Sequence, residues 1–233
     1  MRVAVNIIIL LFFGVCVFLL NDASVSARRL PDAKPSSLSI VHVNSQKDIY
    51  QVYKSAGLSG AKVVHLNRFL NLVDYFPKEE SVSAPFPVRV GDSRSLYEKG
   101  LDAHNWLFVA NRTGMVRSVV VVLPQEVFEQ RLPEFESYFA YTVSGRTVKG
   151  YSYDMPMFVA ALDSLPVINE PVVVNIDAGF FSEGVDPAGA VKQLKMKCPD
   201  IRLIVFSSSF DEPEVGDAMR ERLSLFSRVW AEQ

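Results

Sequence analysis

The chain reads as an α/β protein: a three-layer αβα sandwich with a mostly parallel sheet at its centre. Three observations predict this. Short apolar runs rich in Val and Ile recur at Leu38–Val43, Ala61–His65, Ser118–Leu123, Pro171–Ile176 and Arg202–Phe206. Runs such as Val119–Leu123 and Val172–Val174 do not alternate with polar residues, which is the pattern of strands covered on both faces. Segments with helical spacing lie between the runs, and strands that alternate with helices build parallel sheets.

The first segment stands apart from that domain. Arg2 precedes an apolar run from Val3 to Leu20, broken only by Asn6 and Gly14, and Val25-Ser26-Ala27 follows. This is the layout of an export signal, with cleavage expected after Ala27. The same run approaches the length of a membrane span, so an uncleaved N-terminal anchor is the alternative. Cys16 follows Phe13-Gly14-Val15, which is not the setting of a lipid-modified cysteine. Residues 1–27 are therefore read as signal or anchor, the polar, proline-bearing residues 28–37 as a linker, and residues 38–233 as one domain. Localisation follows from this reading. The protein is expected to be periplasmic or exported, or else held at the inner membrane by residues 3–20, its only expected membrane contact.

Within the domain, Lys47–Ala56 carries Ile49, Val52, Tyr53 and Ala56 at helical spacing and stops at Gly57. Leu96–Arg112 carries Leu101, Trp106, Leu107 and Ala110 and stops near Gly114. Met155–Leu165 shows an apolar helical face through Phe158 and Leu162. Asp186–Lys197 opens with Asp-Pro, an N-cap followed by proline in the first turn. Glu214–Val229 presents Val215, Met219, Leu223, Leu225 and Phe226. Pro77–Asp92, with three prolines, reads as a surface loop, and Tyr138–Tyr151 as a hairpin about Ser144-Gly145.

Charge and cysteine usage exclude some functions. The formal net charge of −2 gives no global pull toward nucleic acid, and none is expected as a partner. With Cys198 the only cysteine beyond the leader, no intramolecular disulfide can form. Cys198 follows Lys195-Met196-Lys197 with no histidine near it in sequence, and reads as a structural thiol. Gly57-Leu58-Ser59-Gly60 lies between helix and strand, the wrong order for a phosphate loop.

Ligands of parallel sheets bind beyond the carboxyl ends of the strands, which singles out three segments. They are His65–Asn71, Asn175–Phe181 and Ser207–Asp211. Read from the residues alone, Asn67 is an N-cap at a strand-to-helix junction and Asp177 caps the turn that follows its strand. The serine run lacks the Gly-x-Ser-x-Gly elbow of a hydrolase and suits turn hydrogen bonds. His42 reads as structural on its strand. His104 lies on the helix expected from Leu96, two residues from Asp102, so the pair points to different faces and cannot jointly chelate.

The segment His65-Leu66-Asn67-Arg68-Phe69-Leu70-Asn71 resembles the metal loop of the arginase/deacetylase superfamily, which places Asp, His and Asp at alternate positions after a buried strand. Here Asn67, Phe69 and Asn71 stand at those positions. Asn175-Ile176-Asp177-Ala178-Gly179-Phe180-Phe181 resembles the Ile-Asp-x-Asp-Tyr/Phe-Phe segment of a bacterial arginase-like branch, with Asp177 kept and Gly179 in place of the second Asp. The stretch from Asn105-Trp106-Leu107 through Gly114 to Val121-Val122-Leu123-Pro124 is similar in order and spacing. The resemblance implies an arginase/deacetylase-like fold that has lost its metal chemistry. An amide is a weak neutral ligand, a phenyl ring is none, and one carboxylate does not hold a catalytic dication against water.

The expectation is an exported, non-catalytic relative that binds a small molecule or an envelope protein in the inherited cleft. The cleft residues would be His65, Asn67, Phe69, Asn71, Asp177 and Gly179. No cofactor or metal is expected. The alternatives are a metal-dependent hydrolase of C–N bonds, with a divalent ion on His65, Asp74, His104 and Asp177, or a structural envelope protein without a ligand.

Overall fold

The computed structural model describes residues 38–70, 98, 101–137, 141–152, 154–182, 184–210 and 212–232. Residues 1–37, read above as leader and linker, the Pro77–Asp92 segment read as a loop, Asn71 and Asp74 lie outside the described residues. The strands are β1 (Ser39–Val43), β2 (Ala61–Leu66), β3 (Val116–Leu123), β4 (Tyr141–Ser144), β5 (Thr147–Ser152), β6 (Met155–Ala161), β7 (Val172–Asp177) and β8 (Ile201–Ser207). They form one sheet in the order β1-β8-β7-β2-β3-β6-β5-β4. From β1 to β6 every pairing is parallel, and only the hairpin β4–β5 and its join to β6 are antiparallel.

Helices α1 (Gln46–Ser55), α2 (Trp106–Arg112) and α3 (Gln125–Ser137) pack on one face of the sheet. Helices α4 (Pro187–Lys197) and α5 (Asp217–Glu232) pack on the other. The result is the α/β sandwich that the alternation of elements predicts. The alternating direction of side chains along each strand sorts the core into two halves. Val63, Val121, Val173 and Val205 meet Ile49, Tyr53, Trp106 and Phe128 on the first face. Val64, Val122, Val174 and Ile204 meet Val191, Leu194, Phe226 and Trp230 on the second. Each valine or leucine buried in this way contributes roughly 1.5–3 kcal/mol.

Local chemistry sets the helix ends. Gly57 takes φ +65°, and the chain closes α1 with Leu58 N–H bonded to Tyr53 O and Gly57 N–H to Lys54 O, a Schellman arrangement. Asp186 caps α4 as its sequence predicts, its carboxylate accepting from Ala188 N and Gly189 N at 3.1 and 2.8 Å.

Three expectations are corrected. Met155–Leu165 is not a helix but strand β6 followed by a short 3-10 turn, Leu162–Ser164. Phe158 and Leu162 are four residues apart, a spacing that serves a helix face and also one face of a strand. Pairing with β3 and β5 on both sides decides for the strand. The helix expected over Leu96–Arg112 is not continuous: Glu98 is helical, residues 101–105 are not, and α2 starts at Trp106. There Asp102 Oδ1 accepts from His104 N and Asn105 N, and Asn105 Oδ1 accepts from Asp102 N. These side chains offer the backbone an alternative to the helical turn. The run Leu38–Val43 forms the edge strand β1, with Leu38 and Ile40 exposed. Leu225 also faces solvent rather than the core side of α5.

Candidate functional site

Because β1, β8, β7, β2 and β3 run parallel, their carboxyl ends share one edge of the sheet. The register sets His65 on β2 beside Asn175 on β7, and Asp177 beside Ser207 on β8. Two residues on from His65, Asn67 falls on the same face one step nearer the edge. His65, Asn67, Asn175, Asp177, Ser207 and Ser209 are fully buried. A polar layer thus closes the end of an otherwise apolar core, and such groups are tolerated only with partners.

Most of the partners are present, the buried Asn175 Oδ1 being an atom without one among the described residues. Asn67 Oδ1 accepts from Arg68 N at 2.7 Å, and its Nδ2 donates to Gln46 Oε1 at 3.0 Å and lies 3.4 Å from His65 Nε2. Gln46 Oε1 also accepts from the Trp106 indole N–H at 3.3 Å, while Gln46 Nε2 donates to Glu212 Oε1 at 2.6 Å. The His65 ring meets Trp106 edge-on at 5.4 Å. Asn175 Nδ2 donates to the Tyr53 hydroxyl oxygen at 2.6 Å. Burial raises the Tyr53 phenol well above its usual range, outweighing that hydrogen bond, so the phenol stays neutral.

Asp177 has both oxygens engaged. Gly179 N–H donates to Oδ1 at 2.7 Å and the Ser209 hydroxyl donates to Oδ2. Ser209 Oγ also lies 3.2 Å from Ser207 Oγ. The capping role read for Asp177 from sequence is therefore present, extended by a second partner on β8's loop. Gly179 has a steric reason to be glycine. A Cβ there would lie 2.9 Å from Asp177 Oδ1, 3.2 Å from Asn67 Oδ1 and 3.4 Å from Arg68 Cγ.

Of the residues singled out in sequence, Asn67, Asp177 and Gly179 thus meet at one point, with His65 on the face beneath. Phe69 is half-buried outside this layer. It carries the Arg68 guanidinium over its ring at 5.4 Å and meets His104 edge-on at 6.2 Å. His104 is exposed on a turn rather than on a helix. His42 is exposed on the edge strand and stacks on Phe206 at 4.9 Å. Cys198 is buried, and burial pushes its thiol up to about 11, as a structural thiol requires.

Among the described residues the donors at the strand ends do not fit a divalent ion. At the three meeting positions the one carboxylate already accepts from the protein's own N–H and O–H groups. The amide oxygen accepts from backbone, and glycine offers no side chain. Among the described residues no three His, Cys, Asp or Glu side chains converge as a metal site needs. Gln46, Glu212 and Trp106 were not singled out in sequence. Gln46 follows an N-cap-like serine with nothing to mark its depth, and Glu212 lies 166 positions from it. No protein-family model and no curated protein sequence matches the chain.

Proposed function

We propose that this chain is an exported or membrane-tethered, non-catalytic protein of the arginase/deacetylase type. Its strand-end region serves recognition of a small molecule or an envelope partner in place of metal chemistry. One observation carries this reading: Asn67, Asp177 and Gly179, the positions at which the resemblance expects metal ligands, lie together but are bonded to the protein itself. A buried carboxylate that accepts from Gly179 N and Ser209 Oγ has no need of a cation. Two Arg–Phe stacks at the same end of the sheet support recognition there. Arg68 lies over Phe69 past β2, and Arg220 lies 4.6 Å over Phe210 past β8. Phe210 is 63% exposed, unusual for phenylalanine and common where an aromatic awaits a partner.

The test is an assay of the purified mature chain against guanidino and N-acetyl substrates with added Mn²⁺ or Zn²⁺. Turnover should not exceed that of the metal alone. Metal-dependent hydrolysis abolished by Asp177→Ala would establish the enzyme reading instead.

A further inference from the structure

We propose that the sheet face formed by β2, β3, β6 and β5, left open among the described residues, binds a small amphipathic anion, an aromatic body carrying one acid group. The site is independent of the strand-end residues. It lies toward the amino ends of β2, β3 and β6, on the sheet face that α4 and α5 cover farther along.

The register builds it. Lys62 pairs with Ser118, Val120 with Phe158, Phe158 with Lys149 and Pro156 with Tyr151, so these side chains share one face. They line an open cavity of about 290 Å³, close to the lower limit for small-molecule sites. Val120 and Phe158 are among its apolar lining, and Tyr151, 62% exposed, lines it as well. An exposed tyrosine beside a half-buried phenylalanine offers ring faces to a planar guest.

Charge selects the sign of the guest. The lining holds two lysines and no acidic residue. Lys62 is engaged by Glu170, which Arg117 also binds at 2.5 Å, so one acid there faces two cations. Lys149 is exposed and, among the described residues, forms no ion pair. An acid group on a ring stacked at Phe158 and Tyr151 would meet Lys149 on the neighbouring strand. Apolar contact and one cation then act together, the usual division of labour in such sites.

The probe for the test is 8-anilinonaphthalene-1-sulfonate, titrated by fluorescence against the wild-type chain, Lys149→Glu and Lys149→Arg. N-phenyl-1-naphthylamine serves as the neutral control, and thermal melting checks that all three chains are folded. The site predicts saturable one-to-one binding of the sulfonate, weakened about tenfold or more in Lys149→Glu, retained in Lys149→Arg and poor for the neutral amine. Absence of saturable binding, or equal affinity in Lys149→Glu, would overturn the proposal.

Discussion

Ser209 donates its hydroxyl to Asp177 from a backbone held at φ +47°, the one left-handed residue other than glycine among those described. A serine in this region costs about 1 kcal/mol relative to glycine. The conformation persists because it aims Oγ at a buried carboxyl oxygen. Arg220 secures the same turn, with its Nε donating to Ser208 O at 3.1 Å.

This pairing separates two substitutions that would otherwise look alike. Ser209→Gly removes the hydroxyl but also the strain. Ser209→Ala removes the hydroxyl and keeps the strain. Leaving Asp177 Oδ2 without its donor costs about 1–3 kcal/mol in either case. Urea denaturation should therefore rank the alanine variant below the glycine variant by about 1 kcal/mol, with both below wild type. Equal stability of all three would mean that the Ser209–Asp177 contact contributes nothing.

Gly179→Ala tests how tightly the strand-end positions meet. Its Cβ would approach Asp177 Oδ1 at 2.9 Å, closer than real Cβ contacts allow. The expected loss is about 1–3 kcal/mol, read as a lower midpoint in urea with an unchanged slope. A neutral result would show that Asp177 can leave Gly179 N without cost.

Much of this architecture was legible in the sequence, for physical reasons that differ by element. Val119–Leu123 and Val172–Val174 announce buried parallel strands because β-branched runs without polar alternation have few other homes. Asp186-Pro187 announces a helix start because the cap chemistry is local. β6 was not legible, since the spacing of Phe158 and Leu162 satisfies both periods and the hairpin partner decides. Helix α3 was missed altogether. Phe128, Leu132 and Phe135 are spaced for one helical face, but Pro133 reads as a breaker. At the strand ends, Asn67, Asp177 and Gly179 could be singled out because they follow strands. The residues that satisfy them could not. Gln46–Glu212 and Asp177–Ser209 are long-range pairs, and only the folded register brings them together.

The buried thiol gives a pH-dependent prediction. Burial raises the Cys198 pKa from 9.0 to about 11, so the folded protein holds the proton more tightly than the unfolded chain does. Its contribution to stability is intact below pH 9 and falls as pH rises toward 11, because only the unfolded state ionises there. Cys198→Ser should flatten this part of the stability profile. In the native protein, Ellman's reagent at pH 8 should react on the order of a hundredfold more slowly than in denaturant. Rapid native reaction would place Cys198 at the surface.

Val173 tests the sheet itself. It is 4% exposed on β7, between β2 and β8. Val173→Asp places a carboxylate among valines and aromatic rings and should cost several kcal/mol, on the order of 3–5. A folded variant with an unchanged melting temperature would remove β7 from the interior.

The central claim is that Asn67 and Asp177 at the strand ends spend their side-chain contacts within the protein rather than on a metal ion. The most direct measurement is elemental analysis of the purified chain, paired with calorimetric titration of Zn²⁺ and Mn²⁺. With Asp177 bonded to Gly179 and Ser209, and Asn67 to Arg68 and Gln46, the protein should purify with far less than one equivalent of either metal. It should show no saturable heat on titration. One tightly held equivalent of metal, lost in Asp177→Ala, would contradict the account.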